Sequence, residues 1–220
     1  DSLKIVRKSV LIYETIIVGR ENGKLPYVKM PVAGRYVAME LAKREKRTTL
    51  YRIVPLEKRN QWVAQRVKSI IRDLRQLETA ISNAGTCKLF GENSFPEADR
   101  FVNVGPVSNE PEFENFFNIC NRCFVESIEK YGKSLGKKKY FWNEIKSTYP
   151  ALFDVLHRIK VYRHSSDHLE LNPDVAKKYK EFWNEDTGGV TDFEEQRFVI
   201  QQKLLEAFLS AIQTEIDSIS

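Results

Sequence analysis

Residues 55–84, PLEKRNQWVAQRVKSIIRDLRQLETAISNA, constrain this chain more than any other stretch. Val63, Val67, Ile70, Leu74, Leu77 and Ile81 recur at alternating spacings of four and three, which lays them along one stripe of a long amphipathic helix. A strand would divide the same residues between two faces, so the period decides for helix. Pro55 suits the start of that helix and Gly85 its stop. A stripe of this length cannot be buried by one helix alone, and the chain needs partner helices to cover it. The remaining faces carry Lys58, Arg59, Arg66, Lys68, Arg72 and Arg75. Such a run is first of all a solvated face and only second an RNA-facing surface.

The partners can be found downstream. From Thr86 to Glu110 glycine, proline and asparagine are frequent and no period survives, which reads as a long loop. Residues 111–132, PEFENFFNICNRCFVESIEKYG, give a second helix with Phe113, Phe116 or Phe117, Cys120, Phe124, Ile128 and Tyr131 facing the core and Gly132 ending it. GKSLGKKK at 132–139 is a basic loop, and YFWNEIKSTY a short helix halted by Pro150. PALFDVLHRIKVYR is helical again, with Leu152, Val155, Leu156 and Ile159 inward. PDVAKKYKEFWNE is a further helix, broken at Gly188 and Gly189. Thr191, with Glu194 three residues later, offers a capping box for a last helix that buries Phe198, Leu205, Phe208, Ile212 and Ile216. The first fifty-odd residues are different. LIYETIIV (11–18) and TTLYRIV (48–54) are rich in β-branched and aromatic residues and suit short strands. The expected fold class is therefore all-α, a helical bundle over residues 55–220. Residues 1–54 form an irregular, partly β N-terminal extension or the remnant of a preceding domain.

Composition enters as a filter. With 42% hydrophobic and 30% charged residues in 220, the chain can bury a core without disulfides or metal. No apolar run approaches the roughly 18 residues needed to span a bilayer. The opening DSLKIVRKSVLIYETIIVGR lacks a secretory layout because lysine and arginine interrupt it. The expectation is a cytoplasmic protein with no membrane partner. The first residue is not methionine, which suggests a processed product or an excised part of something longer. Cys87, Cys120 and Cys123 make an odd count without a disulfide framework, consistent with a reducing compartment. A net charge of +5 and a pI near 9.0 lean weakly towards a polyanion such as RNA.

Several motifs fail. YGKS at 131–134 resembles the end of a phosphate-binding loop, but Ser127 stands where that loop needs a glycine, and a helix precedes it instead of a strand. Cys120 and Cys123 have zinc or redox spacing, yet they lie mid-helix with no second cysteine pair and read as buried, inert thiols. There is no glycine-rich dinucleotide loop, no Ser-His-Asp signature and no cofactor motif.

What remains is VYRHSSDHLEL, residues 161–171. It holds His164 and His168, with His157, the third histidine of the chain, just upstream. In one reading they are partly buried polar groups on a helix, each with a hydrogen-bond partner. In a second, His164 and His168, four residues apart, grip a metal with Asp167 or Glu170. His157 lies about 10 Å from His164 along the axis, and no third ligand is evident, so no metal is expected. In a third, Arg163 pairs with His168. A histidine titrating near neutrality suits removal of the ribose 2′-OH proton, and a forked, permanently charged arginine suits the phosphate. Five residues rotate a side chain by about 140° on a regular helix, so this pair converges only across a bend, at a helix boundary or across a dimer. Ser165, Ser166 and Asp167 compete for backbone hydrogen bonds and favour such a boundary.

Arg163, His164 as its polar follower, a gap of four residues and His168 resemble the signature of the HEPN superfamily, helical-bundle proteins that are mostly metal-independent endoribonucleases. Arg158 to His164, with a gap of five, is a second match to the bare pattern. The resemblance implies a bundle from about Pro111 to Ser220, to which the Pro55 helix can be added, and a homodimer whose two motifs meet. It implies His168 as general acid/base, Arg163 as phosphate clamp and His164 as polar assistant. It further implies a toxin or anti-phage effector held by a regulatory domain or antitoxin partner. Glu170 stands where nucleotidyltransferase-regulated toxins of the family carry tyrosine, which argues against that mode of silencing. Lys137, Lys138 and Lys139, with Lys133, are candidates to hold the RNA backbone, against the plainer reading of a solvated lysine run. The alternative function is a non-catalytic helical interaction module or subunit of a larger assembly.

Overall fold

The computed structural model describes residues 13–19, 27–31, 49–53, 56–91, 95–167, 172–188, 190 and 193–219. Near the N-terminus, β1 (Tyr13–Gly19), β2 (Tyr27–Pro31) and β3 (Thr49–Ile53) form an antiparallel sheet of order β2-β1-β3. Tyr13 faces Pro31 at one end of the β1–β2 ladder, and Gly19 faces Thr49 at one end of the β1–β3 ladder. β1 and β3 are the two stretches whose composition suits strands. β2, which contains Lys29 and ends in Pro31, went unread.

The helical part begins with α1 (Leu56–Ala84). All six residues of its stripe are buried, and Trp62 and Ile71 widen the buried face. Gly85 ends it at φ +66°, with Gly85 N donating to Ser82 O and Thr86 N to Ile81 O, the paired bonds of a left-handed glycine cap. The main partner of α1 is α8 (Phe193–Ile219). Arg59 donates to both oxygens of Glu195 at 2.6 and 2.7 Å and lies 4.2 Å over the Phe198 ring, so its charge is matched although it is buried. Phe198, Leu205, Phe208 and Ile212 are buried as expected, and Ile216 is partly so. Thr191 of the expected capping box lies outside the described residues.

The stretch between α1 and the next long helix is not the plain loop its sequence suggests. It contains α2 (Ala98–Val102) and buries Leu89, Phe90, Phe95, Phe101 and Val107. Buried Gln201 of α8 pins its end, accepting from Val107 N and donating to Gly105 O, each at 2.9 Å. Scattered aromatics anchored by side-chain hydrogen bonds carry no period, so only tertiary packing reveals them.

α3 (Glu110–Cys120) continues through a π-helical turn, Asn121–Val125, into α4 (Glu126–Ser134). The turn inserts an extra residue, and both Phe116 and Phe117 are buried, as are Cys120, Cys123, Phe124 and Val125. α4 does not end at Gly132. It runs on to Ser134 and is closed by Gly136, φ +69°, where Gly136 N donates to Lys133 O and Lys137 N to Gly132 O. Gly132 serves packing instead, since a Cβ there would sit 2.1 Å from the Tyr140 Cβ. A second π-helical turn, Phe141–Ile145, leads into α5 (Lys146–Thr148).

α6 (Pro150–Asp167) starts at the proline expected to stop its predecessor. Its first amides donate to buried Glu215 of α8, Ala151 N at 2.8 Å and Leu152 N at 3.1 Å, an anion at the positive helix end. Leu152, Val155, Leu156, Ile159 and Tyr162 are buried, and α6 packs on α3, α8 and α7 (Pro173–Thr187). Asn172 caps α7 by accepting from Asp174 N, and Gly188 closes it at φ +55°. The fold over the described part of 56–219 is thus a mainly helical bundle, with α6 at its centre.

Candidate functional site

The candidate site is built on α6. The stripe Leu152, Leu156, Ile159 continues at the same spacing to Arg163, which is half-buried at the end of an apolar row. A second stripe, Phe153, His157, Lys160 and His164, runs along a different side, with His164 also half-buried. Arg163 and His164 are therefore neighbours in sequence on two adjacent faces near the helix end. The helix runs on through Ser165 and Ser166 to Asp167. His168 itself lies outside the described residues. The convergence of Arg163 with His168 is therefore carried forward as an expectation.

His157 has a structural explanation. Its ring meets Trp142 edge-on at 5.2 Å, stacks on Phe153 at 5.5 Å and meets Phe182 at 5.8 Å. Burial, followed by the Lys178 charge, holds its pKa below the ordinary imidazole range. It is a packed aromatic group in the neutral form. Among the described residues no cluster of three His, Cys, Asp or Glu side chains is arranged to hold a metal ion.

Arg158, the arginine of the second pattern match, is committed elsewhere. It donates to Asp186 at 2.9 Å and to Glu185 at 2.7 Å, and lies 4.2 Å over the Phe182 ring. Tyr162 donates to the other oxygen of Asp186 at 2.7 Å. Burial keeps Asp186 above the usual carboxylate range and Tyr162 above the usual phenol range. This network joins α6 to α7 and accounts for Arg158 as a structural residue. Sequence reasoning missed the network, because a tyrosine and an aspartate 24 positions apart carry no local signal.

The lysine loop lies beside the same helix. Lys133 and Lys137 to Lys139 are exposed and line a pocket of about 460 Å³ together with Glu129 and Trp142. Lys160, one turn before His164, donates to Glu129 at 2.7 Å and sits 5.8 Å over Phe141. The middle of α6 is thereby joined to α4, whose Glu129 lines the same pocket as the lysines. Lys137 is 3.6 Å from Glu144, whereas Lys138 and Lys139 have no ion-pair partner among the described residues. Lys139 adopts φ +58°, uncommon for a side-chain-bearing residue. Trp142 and Lys160 were not singled out from sequence, although for Trp142 the run of three lysines followed directly by three aromatic residues, KKKYFW, carried a signal.

The two cysteines of the CxxC spacing are buried. Burial raises the Cys120 thiol well above its ordinary value and pushes Cys123 up to about 12, which makes both inert. No helix among the described residues is long and apolar enough to cross a membrane. Comparison with protein-family models, with curated proteins and with solved structures returns no match, so the HEPN resemblance rests on the motif residues of this chain alone.

Proposed function

We propose that this chain is a metal-independent, HEPN-type endoribonuclease acting as a homodimer. The observation that carries the reading is the placement of Arg163 and His164, both half-buried, towards the end of the core helix Pro150–Asp167. A guanidinium held at the end of an apolar row keeps its fork in place with little loss of side-chain freedom on binding a phosphate.

In the reaction, an imidazole of His168 takes the proton of a ribose 2′-OH. The freed oxygen attacks the adjacent phosphorus, and the bond from phosphorus to the 5′-oxygen breaks. An imidazolium, the His168 of the second copy, returns a proton to that leaving oxygen. Arg163 meets the charge that builds on the non-bridging phosphate oxygens, and His164 orients one of the two. The products carry 2′,3′-cyclic phosphate and 5′-OH ends, and no water is consumed in this step. A toxin or anti-phage role, with a regulatory domain or antitoxin partner, follows from the same resemblance.

The test is cleavage of tRNA and of an unstructured RNA in excess EDTA by the wild type, Arg163→Ala and His168→Ala. Cleavage by the wild type alone, leaving cyclic phosphate ends, is the expected result. Cleavage only after zinc or manganese is added overturns it in favour of His164 and His168 as ligands. Cleavage under no condition moves the non-catalytic interaction module ahead.

A further inference from the structure

Among the described residues the exposed large hydrophobic side chains are Leu135, 47% exposed, and Trp142, 38% exposed, and both border the lysine loop. An exposed tryptophan is ordinary when single and mobile, but Trp142 is held. Phe141, Phe153 and His157 contact it edge-on at 5.3, 5.6 and 5.2 Å, at interplanar angles of 86°, 70° and 77°. Three rings fix the indole while part of its surface stays open to the pocket it lines. It stands in the π-helical turn Phe141–Ile145, an irregularity of the kind found often at functional sites.

The surroundings select a ligand. Lys133, Lys138 and Lys139 give the pocket three positive charges with no ion-pair partner among the described residues. Glu129 on the wall spends one oxygen on Lys160 and repels phosphate, while a carboxylate there suits the amino edge of a base. The pocket, about 460 Å³, falls in the range that holds a small ligand. A fixed, part-exposed indole, a carboxylate at the wall and cations at the rim together fit one nucleotide, base inward and phosphate outward.

We infer that Trp142 and the lysine loop form a stacking site for an unpaired base of single-stranded RNA. The inference rests on the ribonuclease reading for its choice of RNA over DNA, and it deepens that reading by naming unpaired RNA as the substrate class. A duplex keeps its base faces covered and has nothing to lay on Trp142. Tryptophan, leucine and lysine also gather at anionic membrane surfaces. Here the one exposed large apolar side chain among the described residues that line the pocket is Trp142, with a carboxylate beside it in the wall, which is a poor fit to a bilayer.

The experiment uses the full chain and a short fluorescein-labelled 2′-O-methyl RNA, which binds but cannot be cut through its 2′ position. Anisotropy should show the single strand binding more tightly than its duplex. Trp142→Ala should raise Kd about tenfold, and Trp142→Phe should restore most of the affinity. In the wild type, saturating single strand should quench a fluorescence component that Trp142→Phe lacks, a readout that does not depend on the alanine variant folding. Unchanged Kd in Trp142→Ala, or equal binding of duplex, overturns the stacking site. So does binding to phosphatidylserine vesicles with none to the oligonucleotide. Cleavage of ordinary RNA in EDTA is scored separately. Wild type that binds in a Trp142-dependent way but never cleaves keeps the site and sinks the nuclease, and cleavage with an unchanged KM in Trp142→Ala does the reverse.

Discussion

Two charged and aromatic clusters flank α6, and they treat their charges in opposite ways. On one side Arg158, Tyr162, Asp186 and Glu185 are mutually hydrogen-bonded, and Lys203 donates to Glu185 O at 2.6 Å. On the other, Lys133, Lys138 and Lys139 share a pocket with a fixed tryptophan and have no ion-pair partner among the described residues. The first cluster is centred on buried Tyr162 and Asp186 and spends its polar groups on holding α6, α7 and α8 together. The second is open, and its cations face solvent. Buried charge is retained only when it is matched, whereas unmatched charge on a rigid surface is what a polyanion finds.

The sharpest way to break this contrast is at Asp186. Asp186→Ala leaves the Arg158 guanidinium short of one partner and the buried Tyr162 hydroxyl without its acceptor. We expect a loss of about 2–4 kcal/mol in urea unfolding, somewhat below the usual cost of breaking a buried pair because Arg158 keeps Glu185. Asp186→Asn, which still accepts from Tyr162, should lose less. Loss of stability in neither variant would make the two clusters equivalent.

The same contrast explains what was legible in the sequence. The stripe of α1 and the inward faces of α6 and α8 could be read because local period alone decides them. The packed stretch 86–110 could not, because Phe95, Phe101 and Val107 are held by tertiary partners such as Gln201. Both π-helical turns were invisible, since an inserted residue shifts a stripe without changing its composition. At the candidate site, the positions of Arg163 and His164 near a helix end were legible from the polar run that follows. The role of His157 was not. Sequence grouped it with His164 and His168, and the fold gives it to Trp142, Phe153 and Phe182.

His157 links the open cluster to pH. Its pKa is lowered in the fold by burial and by Lys178, with Lys146 and Arg158 adding to the effect and Asp154 opposing it. The unfolded chain therefore binds a proton more readily than the folded one. Stability should be level above about pH 6.5 and fall as pH drops below it, until the folded histidine also titrates. Thermal unfolding of His157→Phe against wild type should show a smaller acid loss in the variant. Taking the difference between the two removes the contribution of Asp186, whose raised pKa works in the opposite sense. An equal acid loss in both would remove His157 as the cause.

Lys137→Ala with Lys138→Ala should change stability by no more than about 0.5 kcal/mol, because the one ion pair involved, to Glu144, is partly exposed. If both side chains meet phosphates, the slope of log K against log salt for single-stranded RNA should flatten by about 1.4, at roughly 0.7 per contact. An unchanged slope would return these lysines to the solvated surface.

The smallest effect is the most discriminating. Lys139 holds φ +58°, which costs a residue with a side chain about 1 kcal/mol or more, and glycine removes that strain. Part of the gain is offset because glycine makes the unfolded chain more flexible, so Lys139→Gly should stabilise the protein by about 0.5 kcal/mol. The same substitution removes one unpaired cation from the rim of the Trp142 pocket, and RNA affinity should fall. A variant that is more stable and binds less tightly shows that the left-handed lysine is kept for its charge against the preference of the backbone. A variant that is more stable and binds equally well shows that the strain serves no ligand, and the open cluster would then shrink to Trp142 with Lys133 and Lys138.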